Sequence, residues 1–255
     1  MLGQMHAQAV AEAGGAPVLA DINERLARDT AKAIRAKHKV AALGVKTDIT
    51  NKGHVERLLK TVLAKYGRID ILINNAANDP KVGKGRTAGA WTRFEQFPMK
   101  AWNEDLSVGL TGAFLCSQVI GREMAKRGNG VILNISSDLG IIAPDQRIYE
   151  KNDVPANLQL VKPVTYSVVK TALIGLTRYL ATYWARQGIR VNALCPGGVE
   201  AEQTAEFKER VSSRIPMGRM AGKHEYKGAV LFLISDASSY MTGATLVVDG
   251  GRTCW

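Results

Sequence analysis

Gly67-Arg68-Ile69-Asp70-Ile71-Leu72-Ile73-Asn74-Asn75 is the stretch that decides the fold. Ile69–Ile73 is apolar at nearly every position and is bounded by Gly67 and Asn74, which predicts a short strand buried on both faces. Upstream, from Asn51, the apolar residues Val55, Leu58, Leu59, Val62, Leu63 and Tyr66 recur at steps of three and four, the spacing of a one-faced helix. The same alternation extends in both directions. Ala16–Asp21 reads as a strand, Asn23 as a cap, a helix as running to about His38 with Leu26, Ala27, Thr30, Ala31 and Ile34 inward, and Val40–Val45 as a second strand. Downstream come a helix around Trp102–Lys126, a strand Val131–Ile135, a helix Val164–Arg186, a strand Ile189–Leu194, a helix Glu225–Ser235 and a strand Thr245–Val248. Strand and helix in turn predict an α/β protein with a doubly wound parallel sheet, one domain over residues 1–255. Such sheets bind ligands beyond the carboxyl ends of their strands, so the chemistry should lie just after each strand.

Bulk properties narrow the function. With 255 residues and 46% hydrophobic content, the chain can bury one sizeable core. No apolar run approaches the roughly 20 residues needed to cross a bilayer, so no membrane partner is expected. Ala7–Ala20 lacks a basic start and reads as part of a helix, not a leader. Cys116, Cys195 and Cys254 are far apart, which suits a reducing, cytoplasmic location. The net charge of +11 favours anionic ligands. Its densest group (Arg25, Arg28, Lys32, Arg35, Lys37, Lys39) falls on a helix face with no aromatic interleaving, so it reads as a solvated face and no nucleic-acid partner is expected. His6, His38, His54 and His224 are scattered, and no metal is implied.

Candidate site residues stand at the strand ends. Asp21 can accept hydrogen bonds from adenosine ribose hydroxyls and repel a 2′-phosphate, which favours NAD over NADP; read alone, it serves equally as a helix-initiating acid. Asp48 and Ile49 follow the second strand, where a side chain can cover an adenine ring. In Asn74-Asn75-Ala76-Ala77 the small residues admit a cofactor, and the amides can tie neighbouring strands. Tyr166 and Lys170 are one helical turn apart; a nearby ammonium favours the phenolate and makes the phenol a usable acid or base near neutrality. Ser137, at the end of a buried strand, can hydrogen-bond a substrate oxygen, or simply cap a turn.

Five ordered motifs together resemble the short-chain dehydrogenase/reductase family over essentially the whole chain. They are Asn74–Ala77, Ser136-Ser137, Tyr166-Ser167-Val168-Val169-Lys170, Asn192–Val199 and Asp249-Gly250-Gly251. The resemblance implies a Rossmann-type fold and an NAD-dependent oxidoreductase acting on a carbonyl or secondary alcohol. It implies that Ser137, second in its pair, orients the carbonyl and that Tyr166 transfers the proton. Lys170 would tune Tyr166 and hold the nicotinamide ribose, and Pro196, Gly197 and Val199 would lie beside the nicotinamide. Relatives assemble through the helices near 102–126 and 164–186, so a homotetramer or dimer is expected.

The chain departs from that family pattern in four places. Gly3 stands where the last glycine of the Thr-Gly-x-x-x-Gly-x-Gly turn is expected, with Leu2 before it and Asp21 at close to the ~20-residue spacing beyond. The strand and earlier glycines are absent, which predicts that Met1 is internal to a longer natural chain and that two neighbouring strands lack a partner. The helix N-terminus after Gly3 can still face a pyrophosphate. Gly109 stands where the family has an Asn of a proton relay, and Ala201 where a threonine is common. Ser137 and Tyr166 are separated by an extra segment, residues 141–163, which reads as a substrate loop in which Arg147, Lys151 and Lys162 grip an anion, or else as a peripheral or subunit-contact loop. Val108–Gly112, Ala143–Tyr149, Lys162–Tyr166 and Gly250–Trp255 are similar to a subgroup that accompanies flagellin-glycosylation and surface-polysaccharide genes, which suggests a sugar, sugar phosphate or sugar nucleotide. The alternatives are an NADPH-dependent 3-oxoacyl-carrier reductase and a dinucleotide-binding scaffold with little turnover.

Overall fold

The computed structural model describes residues 2–78, 91–152 and 154–255. Helix α1 (Leu2–Glu12) leads to strand β1 (Val18–Asp21), α2 (Glu24–His38), β2 (Leu43–Lys46), α3 (Lys52–Tyr66) and β3 (Ile71–Asn74). Then follow α4 (Met99–Leu106), α5 (Gly112–Cys116), α6 (Arg122–Arg127), β4 (Gly130–Ile135), α7 (Val164–Trp184), β5 (Ile189–Pro196), α8 (Ala205–Ser212), α9 (Lys227–Ile234) and β6 (Thr245–Val248). Local chemistry sets several boundaries. The Asn23 and Asn51 side chains accept from the Leu26 and His54 amides (3.0 and 3.2 Å) and start α2 and α3. Gly67, at φ 73°, ends α3 in a left-handed turn that a side chain would strain.

All strand pairs are parallel, and the order β3-β4-β5-β6 forms a four-stranded sheet. As expected of two neighbouring strands that lack a partner, the sheet is divided: among the described residues β1 pairs only with β2, and β3 only with β4. Both parts still share one core. Val18 of β1 and Val45 of β2 pack on the cluster of Leu58, Val62, Ile132, Leu180 and Trp184, which joins α3, α7 and the larger sheet. Leu133, Ile135 and Leu194 carry the opposite face, against Val230 and Leu233 of α9. The sheet is therefore covered by helices on both sides, as its two-sided apolar strands require.

Two expectations from the sequence need correction. Leu26 of α2 is 45% exposed, whereas Ala27, Ala31 and Ile34 are buried, so the inward stripe is narrower than the periodicity suggested. The helix expected near 102–126 is a continuous helical run over residues 99–127, widened by two π turns, Ser107–Thr111 and Ser117–Gly121. Such widened turns are common beside functional sites.

His6 is discordant with its surroundings. It is 3% exposed, and neither ring nitrogen has a hydrogen-bond partner among the described residues. Burial pushes its imidazole down to about 4. The unfolded chain therefore takes up this proton first, and the stability present above the ordinary histidine range is lost as pH falls toward that value. Between about pH 7.5 and pH 5 the expected loss from this residue is about 2 kcal/mol. Urea unfolding at both values should show that His6→Leu removes this component; equal losses in both proteins would refute the account.

Candidate active site

Strand β4 and helix α7 are joined by side chains at the carboxyl end of the sheet. Lys170 is buried, and its Nζ donates to the Ile135 carbonyl at 2.8 Å. In return the Ser136 hydroxyl donates to the Lys170 carbonyl at 2.6 Å, and Thr171 donates to the Gly140 carbonyl at 3.0 Å. Deeper in the sheet, Asn74 Nδ2 donates to Asn134 Oδ1 (2.8 Å) and to Ser117 Oγ (3.1 Å), while Asn134 Nδ2 donates to Thr177 Oγ1 (2.8 Å). Asn74 thus ties β3 to β4 and to a π turn, and Asn134 ties β4 to α7. Sequence reasoning missed Asn134 and Thr177, because a buried amide inside an apolar strand carries no linear pattern.

Tyr166, half-buried, lies one turn before Lys170 on α7, and the Lys170 Nζ is 5.7 Å from its ring centre. Lys162, from the inserted segment, places its Nζ 3.9 Å from the same centre. Both ammoniums are within cation–π range of the ring. Ser137 is buried immediately after β4, one residue beyond the Ser136 tie to α7. Its hydroxyl donates to Asp138 Oδ1 at 2.7 Å and accepts from the Leu139 amide at 3.2 Å, so it does cap a turn. Asp138 is held by Arg252 through a 2.9 Å ion pair, with the two side chains 4% and 8% exposed. The sequence offers no pattern that pairs Asp138 with a residue 114 positions away.

The other predicted residues line the carboxyl ends of the strands. Gly3, at the start of α1, meets the end of β3 so closely that a Cβ there would lie 2.8 Å from Asn75 Nδ2. Leu2 and Asn75 are half-buried, and Ala76 is exposed. Asp21 is exposed at the end of β1, with Oδ1 accepting the Asn23 amide at 2.8 Å. Asp48 accepts from the Thr50 hydroxyl (2.7 Å) and amide (2.9 Å), and the hydroxyl bond foremost holds its carboxyl below the usual range. Ile49 is half-buried and packs toward Val55, Cys116 and Val119.

Pro196 is buried, and the turn after it is pinned on several sides. The Gly197 amide donates to the Val248 carbonyl (2.9 Å), and the Ala221 amide donates to the Gly198 carbonyl (3.0 Å). Val199 forms a parallel bridge with Ala221. Tyr226, 1% exposed, donates its hydroxyl to the Gly197 carbonyl at 2.9 Å, and burial foremost pushes that phenol up. Small residues and a helix N-terminus at the strand ends, with the Asp21 carboxylate at one side, fit an extended dinucleotide laid across them.

The inserted segment is built into the body. Ile148 is buried with Val211, Ile215 and Met220, and Tyr149 and Phe207 pack beside them. Asp145 pairs with Arg214, and Arg210 donates to the Glu150 carbonyl. Arg147, expected to grip a substrate anion, is instead held by Asp145 (2.8 and 2.9 Å), and its side chain is 75% exposed. Of the three predicted cations, Lys162 is the one brought to Tyr166.

A family model described as short chain dehydrogenase matches residues 2–149, and one described as enoyl-(acyl carrier protein) reductase matches residues 156–253. The chain is 35% identical to the cis-4-hydroxycyclohexanecarboxylate dehydrogenase of Sinomonas cyclohexanicum, covering 99% of this chain and 92% of that one. It is 32% identical to the NAD-dependent glycerol dehydrogenase of Listeria innocua, with coverage of 99% and 89%. A gluconate 5-dehydrogenase from Burkholderia cenocepacia, solved with NADP and tartrate, superposes with a TM-score of 0.85 at 32% identity, covering 100% of this chain and 92% of that one. The chain belongs to the short-chain dehydrogenase/reductase family. It is accordingly an oxidoreductase that acts on CH–OH groups with a nicotinamide dinucleotide.

The ion pair below Ser137 gives a stability prediction. Arg252→Leu leaves the Asp138 carboxylate buried without its cation and should cost about 3–5 kcal/mol. Asp138→Asn in the same chain should recover most of that loss in urea unfolding; a double variant as unstable as the single would show that the charge is not the cause.

Proposed function

We propose that this chain interconverts a secondary alcohol and its ketone on a polar or anionic small molecule, such as a sugar or sugar nucleotide, using NAD(H). The observation that carries the reading is the Tyr166–Lys170 pair, with Lys170 anchored on the Ile135 carbonyl at the carboxyl end of the sheet. A bound nicotinamide supplies the hydride acceptor or donor. Tyr166 exchanges the proton with the substrate oxygen, and Lys170 stabilises the phenolate. Ser137 turns its hydroxyl proton from Asp138 to that oxygen and orients it. Gly3 with Leu2, Asp48 with Ile49, Asn75 with Ala76, and Pro196, Gly197 and Val199 hold the cofactor along the strand ends. Asp21 takes the adenosine ribose hydroxyls, which favours NAD; Lys46, its register partner on β2, is the feature that would favour a 2′-phosphate.

The relatives support a polar substrate, since one is named for a hydroxy acid and another for glycerol. Lys162 beside Tyr166 supports an anionic group on it. Phe114, Val168, Tyr179 and Tyr183 are exposed on α5 and α7, which supports assembly of copies through these helices. Three free thiols suit a cytoplasmic location.

Tyr166→Phe should lower kcat by about a hundredfold or more while NADH binding is retained. Turnover of glycerol, gluconate and cis-4-hydroxycyclohexanecarboxylate, followed by NADH absorbance, provides the assay; near-normal activity in the variant would remove Tyr166 from the mechanism. In fluorescence titration NADH should bind about tenfold or more tightly than NADPH, and Asp21→Ser should narrow the gap. A preference of the unmodified protein for NADPH would overturn the cofactor assignment.

A further inference from the structure

Asp105 of α4 is a buried carboxylate, 9% exposed, beside the Tyr166–Lys170 pair. Its Oδ2 accepts from Thr165 Oγ1 of α7 at 2.5 Å, and its Oδ1 takes no hydrogen bond from a described residue. Together with Asn78, Gly109, Tyr166 and Lys170 it lines a cavity with room for about one water molecule. Gly109 cannot contribute a side chain there, because even a Cβ would lie 2.5 Å from Val169 Cγ1. A carboxylate that lines a cavity of this size can accept a hydrogen bond from a water held there. Tyr166 and Lys170, the phenol and the ammonium of the proposed mechanism, line the same cavity, so a water held there would lie among all three groups.

We propose that Asp105 is the proton-relay residue of this site. It acts through Tyr166, on the reading of that residue given above. In alcohol oxidation the substrate C–H pair leaves as hydride to the nicotinamide, and the O–H proton goes to Tyr166. One proton per turnover then passes over the cavity water to Asp105 and on to bulk solvent; in ketone reduction it travels the opposite way. Among the described residues, the titratable groups facing the cavity are Asp105 from α4 and Tyr166 and Lys170 from α7, with Lys162 over the Tyr166 ring. Thr165 holds the carboxylate in place by tying α4 to α7.

Asp105→Asn keeps the shape and can still accept the Thr165 hydrogen bond, but it cannot accept the proton. In the full chain, with the three probe alcohols above and dilute buffer, its kcat should fall about tenfold or more. Added imidazole at fixed pH and ionic strength should restore kcat, because a bulk base replaces the relay. NADH affinity by fluorescence titration should be unchanged. Thr165→Val, which frees the carboxylate from its tie but keeps its charge, should lower kcat less than Asp105→Asn does. An unchanged kcat in Asp105→Asn, a loss that imidazole does not restore, or an equal loss in Thr165→Val each overturns the relay. Tyr166→Phe measured alongside separates the two readings. If it is inactive while Asp105→Asn is normal, only the relay fails; if it is active, the proton-transfer role of Tyr166 fails and the relay with it.

Discussion

A lysine ammonium taken out of water costs several kcal/mol unless its donors are satisfied. Lys170 is 5% exposed, and its Nζ is directed onto the Ile135 carbonyl, at the last residue of β4. The strand answers through Ser136, whose hydroxyl donates to the carbonyl of the same lysine. One residue thus fastens helix to strand through both its side chain and its main chain. The arrangement fixes the rotation of α7, and with it the place of Tyr166 one turn earlier. Ser137, next to Ser136, is fixed by the same pair of bonds. The chemistry proposed at the sheet's carboxyl end depends on this cross-tie more than on any apolar contact, because apolar packing tolerates small rotations that a 2.6 Å hydrogen bond does not.

Much of this was legible in the chain. The alternation of two-sided apolar strands with one-faced helices gave the fold class, and Thr245–Val248 matches its strand to the residue. Caps at Asn23 and Asn51 were legible because they act over three residues. What was not legible acts over long separations. Asp138 with Arg252, Asn134 with Thr177 and Tyr226 with Gly197 are each a polar residue satisfied by a distant element. The π turns escaped for a related reason: each shifts the periodicity by one residue, and a helix with apolar residues on several sides hides that shift. The inserted segment was recognised, but its three cations were read as one group. The fold separates them, since Arg147 is held by an acid two residues away whereas Lys162 reaches the tyrosine ring.

The Ser137 environment also shows a division of labour that geometry alone makes visible. Asp138 gives the hydroxyl a resting acceptor, and Arg252 neutralises that acceptor where an unpaired negative charge would oppose the alkoxide of the proposed reaction. Orientation and electrostatics at one oxygen are thus set by two residues that lie 114 positions apart in the chain.

The inserted segment and the stretch from α8 through Met220 share an apolar cluster, an Asp145–Arg214 ion pair and the bond from Arg210 to the Glu150 carbonyl. Neither part can be exchanged alone without exposing Ile148 or leaving an arginine unmatched. Selection among relatives would therefore move these two stretches as a single transplantable cassette. A laboratory graft of altered specificity onto this scaffold must carry both, even though more than forty residues, including the whole of α7 and β5, intervene between them.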